Sequence, residues 1–139
     1  IGEMSVLAGV PRTANVVADS SVTALWLSTS AMQQVMEQSP DLTTSLWKTA
    51  GARFAENLLG SREPYREWTQ LRLRRWLNEG SVISPTDNET IDLYGKTAVL
   101  ISGMVRLPGQ DQPMTAPVSL EVASATFSNQ AKVFIRSES

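Results

Sequence analysis

The sequence predicts an α+β protein in which strands come first, helices follow, and further strands end the chain. Residues 12–27 are rich in valine, threonine and tryptophan, a composition typical of strands. Between residues 28 and 78, apolar side chains recur at about four-residue spacing, as on one face of a helix. From residue 81 onward, strand-like segments alternate with polar turns. With 139 residues, the chain is long enough for one domain or two very small ones, and it can bury a core.

Two strands are predicted at the start of the chain, with a break at Asp19-Ser20-Ser21. In the second of them, residues 22–27, apolar side chains occupy most positions on both faces. A strand of this kind is expected to be buried, as in a hairpin inside a core.

Two helices are predicted to follow. Ser28 or Ser30 is suited to cap the first, because a serine hydroxyl accepts a hydrogen bond from a free amide of the first turn. The second helix begins at Pro40 and ends near Gly60, since proline favours the first turn of a helix and glycine its C-terminal end. Its apolar stripe is formed by Leu42, Leu46, Ala50, Phe54 and Leu58.

A third helix is predicted from about Pro64 to Asn78. Its C-terminal part is basic, which is favourable to the helix dipole, and the arginines are expected to form a solvated helix end: Arg72, Arg74 and Arg75. The four tryptophans lie at core spacing on the predicted strands and helices, so core or interface packing is predicted for Trp26, Trp47, Trp68 and Trp76.

The second half of the chain is predicted to be strands and turns. Residues 97–107 suggest a strand pair or one bulged strand, with Gly103 at the kink. Turns are predicted at residues 84–90 and 107–113, and further strands at residues 118–127 and 131–136.

The composition narrows the possible functions. The chain has no cysteine and no histidine, so thiolate metal sites, thiol nucleophiles and Ser-His-Asp catalysis are excluded. An enzyme would need carboxylates, lysine, tyrosine or a hard metal, so we expect binding or regulation rather than catalysis, and no cofactor. The net charge of −2 favours no nucleic-acid partner. The acidic residues Asp87, Glu89 and Asp92 fit no calcium loop and predict a polar loop.

The opening stretch IGEMSVLAGVPRTANVVAD carries the most specific chemistry. Gly2 permits close backbone approach to a ligand, and residues 3–7 can form a helical turn whose amides face an anion. Arg12 offers a planar cationic fork suited to phosphate, and Glu3 offers acceptors for sugar hydroxyls. Together these groups could hold a cyclic phosphate on a ribose. The alternative is an ordinary loop with a surface glutamate and a surface arginine.

The run G-E-M-S-V-L-A-G-V-P-R-T-A-N-V, residues 2–16, resembles the phosphate-binding cassette of cyclic nucleotide-binding domains. The resemblance implies that Gly2 and the amides after it, including those of Met4 and Ser5, face the cyclic phosphate. It further implies that Arg12 pairs with the phosphate and that Glu3 takes the ribose 2′-hydroxyl. Two more positions would flank the phosphate: Thr13 and Ala14. The implied ligand is cAMP or cGMP.

The same resemblance implies a fold for each half of the chain. Residues 1–60 would be the C-terminal half of a cyclic nucleotide-binding domain, a jelly-roll-like β-roll with C-terminal helices. Its earlier strands are expected upstream of Ile1. Residues 61–139 would be a connecting helix and a β-rich second domain, because residues 93–107 resemble the first strands of the same fold. These strands would form a degenerate second roll without the Gly-Glu and arginine, or would complete one composite roll with residues 12–27.

This order of parts resembles the cytoplasmic tails of Na⁺/H⁺ antiporters. It implies a regulatory module at the cytoplasmic face of a membrane protein, with the transport domain of the same parent as partner and a homodimer as a possible assembly. One alternative is a catabolite-activator-type transcription regulator, since residues 71–80 faintly resemble the helix that opens its DNA-binding domain. The other is a structural or dimerisation module that binds no ligand.

Overall fold

The computed structural model of the chain describes residues 1–9, 11–12 and 14–138. Within them lie four α-helices, one short 3₁₀ helix and a six-stranded antiparallel open sheet, which confirms the predicted α+β class. The chain divides into two compact units, Ile1–Leu46 and Trp47–Ser139. The functional division proposed at residues 60 and 61 stays a prediction.

The first unit is helical. It contains α1 (Glu3–Ala8), α2 (Thr29–Gln38) and the beginning of α3 (Pro40–Leu59). Of the two serines considered as caps, Ser28 is the one used: its hydroxyl accepts from the Ala31 amide at 3.1 Å. Thr43 Oγ1 donates to the Met36 carbonyl at 2.8 Å and fixes the start of α3 to the end of α2.

The strands predicted at residues 12–27 are not present among the described residues of that range. The segment is exposed instead, and Trp26, predicted to pack in a core or interface, exposes 86% of its surface. Strand propensity reflects how well a residue fits a pleated, half-buried surface, whereas the described residues of this segment are exposed. The composite roll would need strands in this segment, and its described residues form none.

The second unit begins with three helical segments. The C-terminal part of α3 is followed by a 3₁₀ turn (Tyr65–Glu67) and by α4 (Gln70–Leu77). The single helix predicted from Pro64 to Asn78 is thus wrong, because the backbone is extended at Trp68 and Thr69. The Thr69 hydroxyl accepts from the Arg72 amide at 3.2 Å, so this residue starts a new helix rather than continuing the old one.

The sheet is built on two long strands, β3 (Lys96–Arg106) and β6 (Ser124–Ser137), which pair antiparallel. The short strands β1 (Ser81–Ile83) and β2 (Glu89–Asp92) both pair with β6. The short strands β4 (Met114–Thr115) and β5 (Val118–Leu120) both pair with β3. Each long strand thus has its outer edge covered by two short ones.

The predicted kink at Gly103 is confirmed. The register of β3 on β6 shifts between Leu100 and Ser102 and again between Ser102 and Met104. Gly103 has φ 89, and a Cβ there would lie 2.7 Å from the Ala131 Cα. Only glycine fits this bulge, because the position needs both a left-handed backbone and close approach of the partner strand.

Apolar side chains cover both faces of the sheet. On one face the core contains Leu100, Phe127 and Val133 with their neighbours. On the other face lie Val99, Ile101 and Phe134, and the last two approach Gly51 of α3 closely. The second unit is therefore a sheet with its own core on one side and a helical layer on the other.

A chain of hydroxyl groups ties the 3₁₀ turn to the sheet. Thr97 is buried, and its Oγ1 donates to Glu138 Oε1 at 3.3 Å. The Tyr65 hydroxyl lies 2.8 Å from the same Thr97 oxygen and therefore donates to it. This contact fixes the segment between α3 and α4.

Replacing Tyr65 with phenylalanine is expected to lower the free energy of unfolding by about 1 kcal/mol, because one part-buried hydrogen bond is lost while the ring remains. Urea unfolding checks the value. Tyr94→Phe is the matched control. The Tyr94 side chain is largely exposed, so removing its hydroxyl should leave the free energy of unfolding unchanged. Equal effects of the two variants would contradict the role assigned to the Tyr65 hydroxyl.

Candidate functional site

The candidate site is the turn formed by residues 2–9 together with residues 11 and 12, in the first unit. Gly2 precedes α1 with φ 83, in the left-handed region. The Val6 amide donates to the Gly2 carbonyl at 3.4 Å, and the Gly9 amide donates to the Ser5 carbonyl at 3.0 Å. The residues after Gly2 therefore form the single helical turn that the sequence predicted.

Arg12 returns to the start of this turn. A Cβ built on Gly2 would lie 2.6 Å from Arg12 Nη2 and 2.7 Å from Arg12 Cζ, so the guanidinium packs directly on the glycine. A side chain at residue 2 would displace the guanidinium and would also be strained by the left-handed backbone. The two ends of the predicted motif, separated by ten positions in the sequence, are brought together by this contact.

Glu3 lies in the first turn of α1, where a carboxylate is favourable to the helix dipole. Its side chain is 15% exposed, and Oε2 lies 3.3 Å from the amino group of Ile1. The site therefore combines one part-buried carboxylate with one exposed guanidinium.

The remaining predicted site residues differ in their placement. Met4 and Ser5 lie in α1 and are half-buried. Ala14 is exposed at a bend two residues after Arg12. Thr13 lies outside the described residues. The structure thus brings Gly2, Glu3, Met4, Ser5 and Arg12 into one turn.

The arginines of α4 are less isolated than a solvated helix end would be. The Arg72 guanidinium lies 4.0 Å from the centre of the Trp68 ring. Arg74 Nε donates to both carboxylate oxygens of Glu56, at 3.0 and 3.1 Å. Trp68 and Trp76 are half-buried and pack with Tyr65 at ring-centre separations of 5.2 and 5.3 Å. Packing of these two tryptophans agrees with the prediction, in contrast to Trp26.

Three acidic residues of the second half accept hydrogen bonds from backbone amides. Asp87 Oδ1 accepts from the Asn129 amide at 3.0 Å, Glu89 from the Thr86 amide at 2.9 Å, and Asp92 from the Tyr94 amide at 2.9 Å. The bonds of Glu89 and Asp92 are local to their turns, and that of Asp87 joins the predicted polar loop to β6. Across residues 1–9, 11–12 and 14–138, no three acidic side chains come together in a group that could hold a metal ion.

No helix in the described part of the chain combines the length and the apolar character needed to cross a membrane.

None of the known protein-family models matches the chain. The assignment of a function therefore depends on residues 2–16 and on the contact between Arg12 and Gly2.

Proposed function

We propose that the chain is a regulatory cyclic nucleotide-binding module of a cation/proton antiporter. Residues 2–14 would take the cyclic phosphate and the ribose of cAMP or cGMP. The observation that carries the proposal is the packing of the Arg12 guanidinium on Gly2, which joins the only permanently charged cation of the motif to the first turn of α1.

The phosphate is the part of the ligand that this turn suits best. The first amides of a helix have no partner within the helix, so those of Met4 and Ser5 can donate to an anion. By themselves, the first amides of so short a helix would be weak evidence for an anion site. Arg12 adds a guanidinium, whose parallel donors match two phosphate oxygens. Both kinds of donor are adjacent at Gly2, where the absence of a side chain lets the guanidinium pack on the backbone.

The ribose would be bound by Glu3. A carboxylate accepts hydrogen bonds only, which suits a sugar hydroxyl. Its position one residue after Gly2 keeps it beside the phosphate donors. The ligand would be either of the two cyclic nucleotides, since cAMP and cGMP share this phosphate and ribose.

The signal would pass through the helices that follow. α2 and α3 come after the turn in the chain, and α3 extends from Pro40 to Leu59. A ligand shifts a conformational equilibrium only by binding one state more tightly than another. We therefore expect cyclic nucleotide to favour one position of α3 and, through it, to act on a transport domain of the same parent at the cytoplasmic face. We propose that the module acts by binding and regulation and does not catalyse a reaction.

A second candidate function is association without ligand. Apolar side chains of the first unit are exposed, among them Val17, Leu25 and Trp26. Exposed apolar segments of this kind commonly mark interaction surfaces. In this alternative the unit pairs with a second copy and binds no nucleotide. The catabolite-activator alternative has no such support, because the described residues after α4 form a sheet where that class needs a helix-turn-helix.

Replacing Arg12 with alanine is expected to weaken cyclic nucleotide binding by about 100-fold, since charge-assisted hydrogen bonds contribute about 1.5–3 kcal/mol each. Titration calorimetry with cAMP and with cGMP measures the change. Arg106→Ala is the matched control, because Arg106 is an exposed arginine at the end of β3. If neither nucleotide binds the chain, and sedimentation shows a dimer, the association module replaces the nucleotide-binding function.

The role of Glu3 has its own test. Glu3→Gln should weaken the binding of cAMP about tenfold and leave the binding of 2′-deoxy-cAMP unchanged. The reason is that the carboxylate contacts only the 2′-hydroxyl, which 2′-deoxy-cAMP lacks. Equal losses for both ligands would show that Glu3 supports the turn and does not contact the ribose.

A further inference from the structure

A groove between α3 and α4 lies wholly within the second unit, outside the candidate cassette. Its volume is about 470 Å³, within the range of small-molecule sites. The lining residues are Lys48, Thr49, Ala52, Arg53, Glu56, Arg74, Leu77 and Asn78.

The lining is positively charged. It contains three cations and one carboxylate, a net formal charge of +2. The carboxylate, Glu56, accepts from Gln70 Nε2 at 3.0 Å and from Arg74 Nε at 3.0 Å. Its charge is thus already engaged with α4, and the other two cations of the lining are Lys48 and Arg53.

Two cationic groups retain donors for a ligand. Lys48 makes no hydrogen bond or ion pair with any residue that the structure describes. Arg74 uses only its Nε nitrogen in the bonds to Glu56, so the terminal nitrogens of its guanidinium are not engaged there. Like charges gathered around one concave surface repel one another, and an anion between them would remove that cost.

The helices around the groove are also positively charged, which favours an anionic ligand. Residues 47–80 contain seven lysines and arginines but four acidic residues, although the chain as a whole is acidic. Ala52 and Leu77 form the apolar part of the lining, here called the floor, and Asn78 adds a neutral polar group. An anion with a small carbon body fits these surroundings better than a fully hydrated ion.

We propose that this groove binds a small organic phosphate. Lys48, Arg53 and Arg74 would contact the phosphate oxygens, and the carbon body would lie on Ala52 and Leu77. Arginine is suited to this role because its planar fork matches two phosphate oxygens, and lysine contributes a point charge.

The test uses the full chain carrying Arg12→Ala, which silences the candidate cassette, and glycerol 3-phosphate as the probe. Amide chemical shifts of Thr49, Arg53 and Asn78 should change in a saturable way. Lys48→Gln should weaken binding about tenfold, and Arg74→Lys should weaken it while keeping the charge. Arg75→Gln, on the same helix but outside the lining, should leave the affinity unchanged.

Three results would overturn the proposal. The first is the absence of saturable shifts at these amides. The second is an equal loss in Arg75→Gln and Lys48→Gln, which would indicate a diffuse basic surface. The third is binding of inorganic phosphate as tight as that of glycerol 3-phosphate, which would show that the carbon body makes no contact with the floor.

Discussion

Replacing Phe134 with alanine is expected to lower the free energy of unfolding of the second unit by about 4 kcal/mol. The Phe134 ring is fully buried. Ideal Cβ atoms on Gly51 and Gly80 would lie 3.2 and 2.3 Å from its carbons, so the ring fills the space that these two glycines leave. The variant leaves a cavity between α3 and the sheet, and urea unfolding measures its cost. Phe134→Leu should recover most of the loss.

The packing of the Phe134 ring against Gly80 can be tested by combining substitutions at the two positions. Gly80→Ala alone should destabilise by about 2 kcal/mol, because the new methyl group overlaps a buried ring that cannot move aside. In the Phe134→Ala background the ring is gone, and the same change should cost much less. A double-mutant cycle therefore should show coupling of about 1 kcal/mol or more. Strict additivity would contradict this packing.

Replacing Gly103 with alanine is expected to cost about 3 kcal/mol of unfolding free energy. Its φ of 89 is unfavourable for alanine, and the methyl group would meet the Ser128 and Asn129 carbonyl oxygens at 2.9 Å. These atoms belong to the backbone of the partner strand, so they cannot give way without distorting the bulge. Thermal or urea unfolding measures the loss.

Gly109→Ala separates the two causes. Gly109 also has a left-handed φ, 76, but no atom lies within 4 Å of a Cβ built there. Gly109→Ala should lower the free energy of unfolding by about 1 kcal/mol, because only the backbone conformation is unfavourable for alanine there. If Gly103→Ala costs no more than Gly109→Ala, the close approach of the two strands at the bulge is not the cause.

The helices and the strands of the second half were predictable because their signals are local. Ser28 caps α2, Pro40 begins α3, and Gly103 marks the bulge in β3, each where its backbone or side-chain chemistry requires it. The division of the predicted third helix was harder to see. Thr69 is a good N-cap, but a threonine within a helical pattern does not by itself show which residue ends one helix and starts another.

The strands expected at residues 12–27 show what a local pattern leaves undecided. Val17 and Trp26 have high strand propensity in any sequence, but a strand forms only where another strand supplies hydrogen bonds and a covering face. The candidate site was predictable in its residue types. The contact between Arg12 and Gly2 was not, because it depends on how the chain turns after α1.

Chemical-shift mapping with cAMP and cGMP shows whether residues 2–14 are the nucleotide site. We expect saturable changes at the amides of Gly2, Glu3 and Ser5 with either nucleotide, their loss in Arg12→Ala, and their retention in Arg106→Ala. Shifts confined to residues outside 2–14, or shifts at Gly2 that persist in Arg12→Ala, would contradict the assignment of this turn as the nucleotide site.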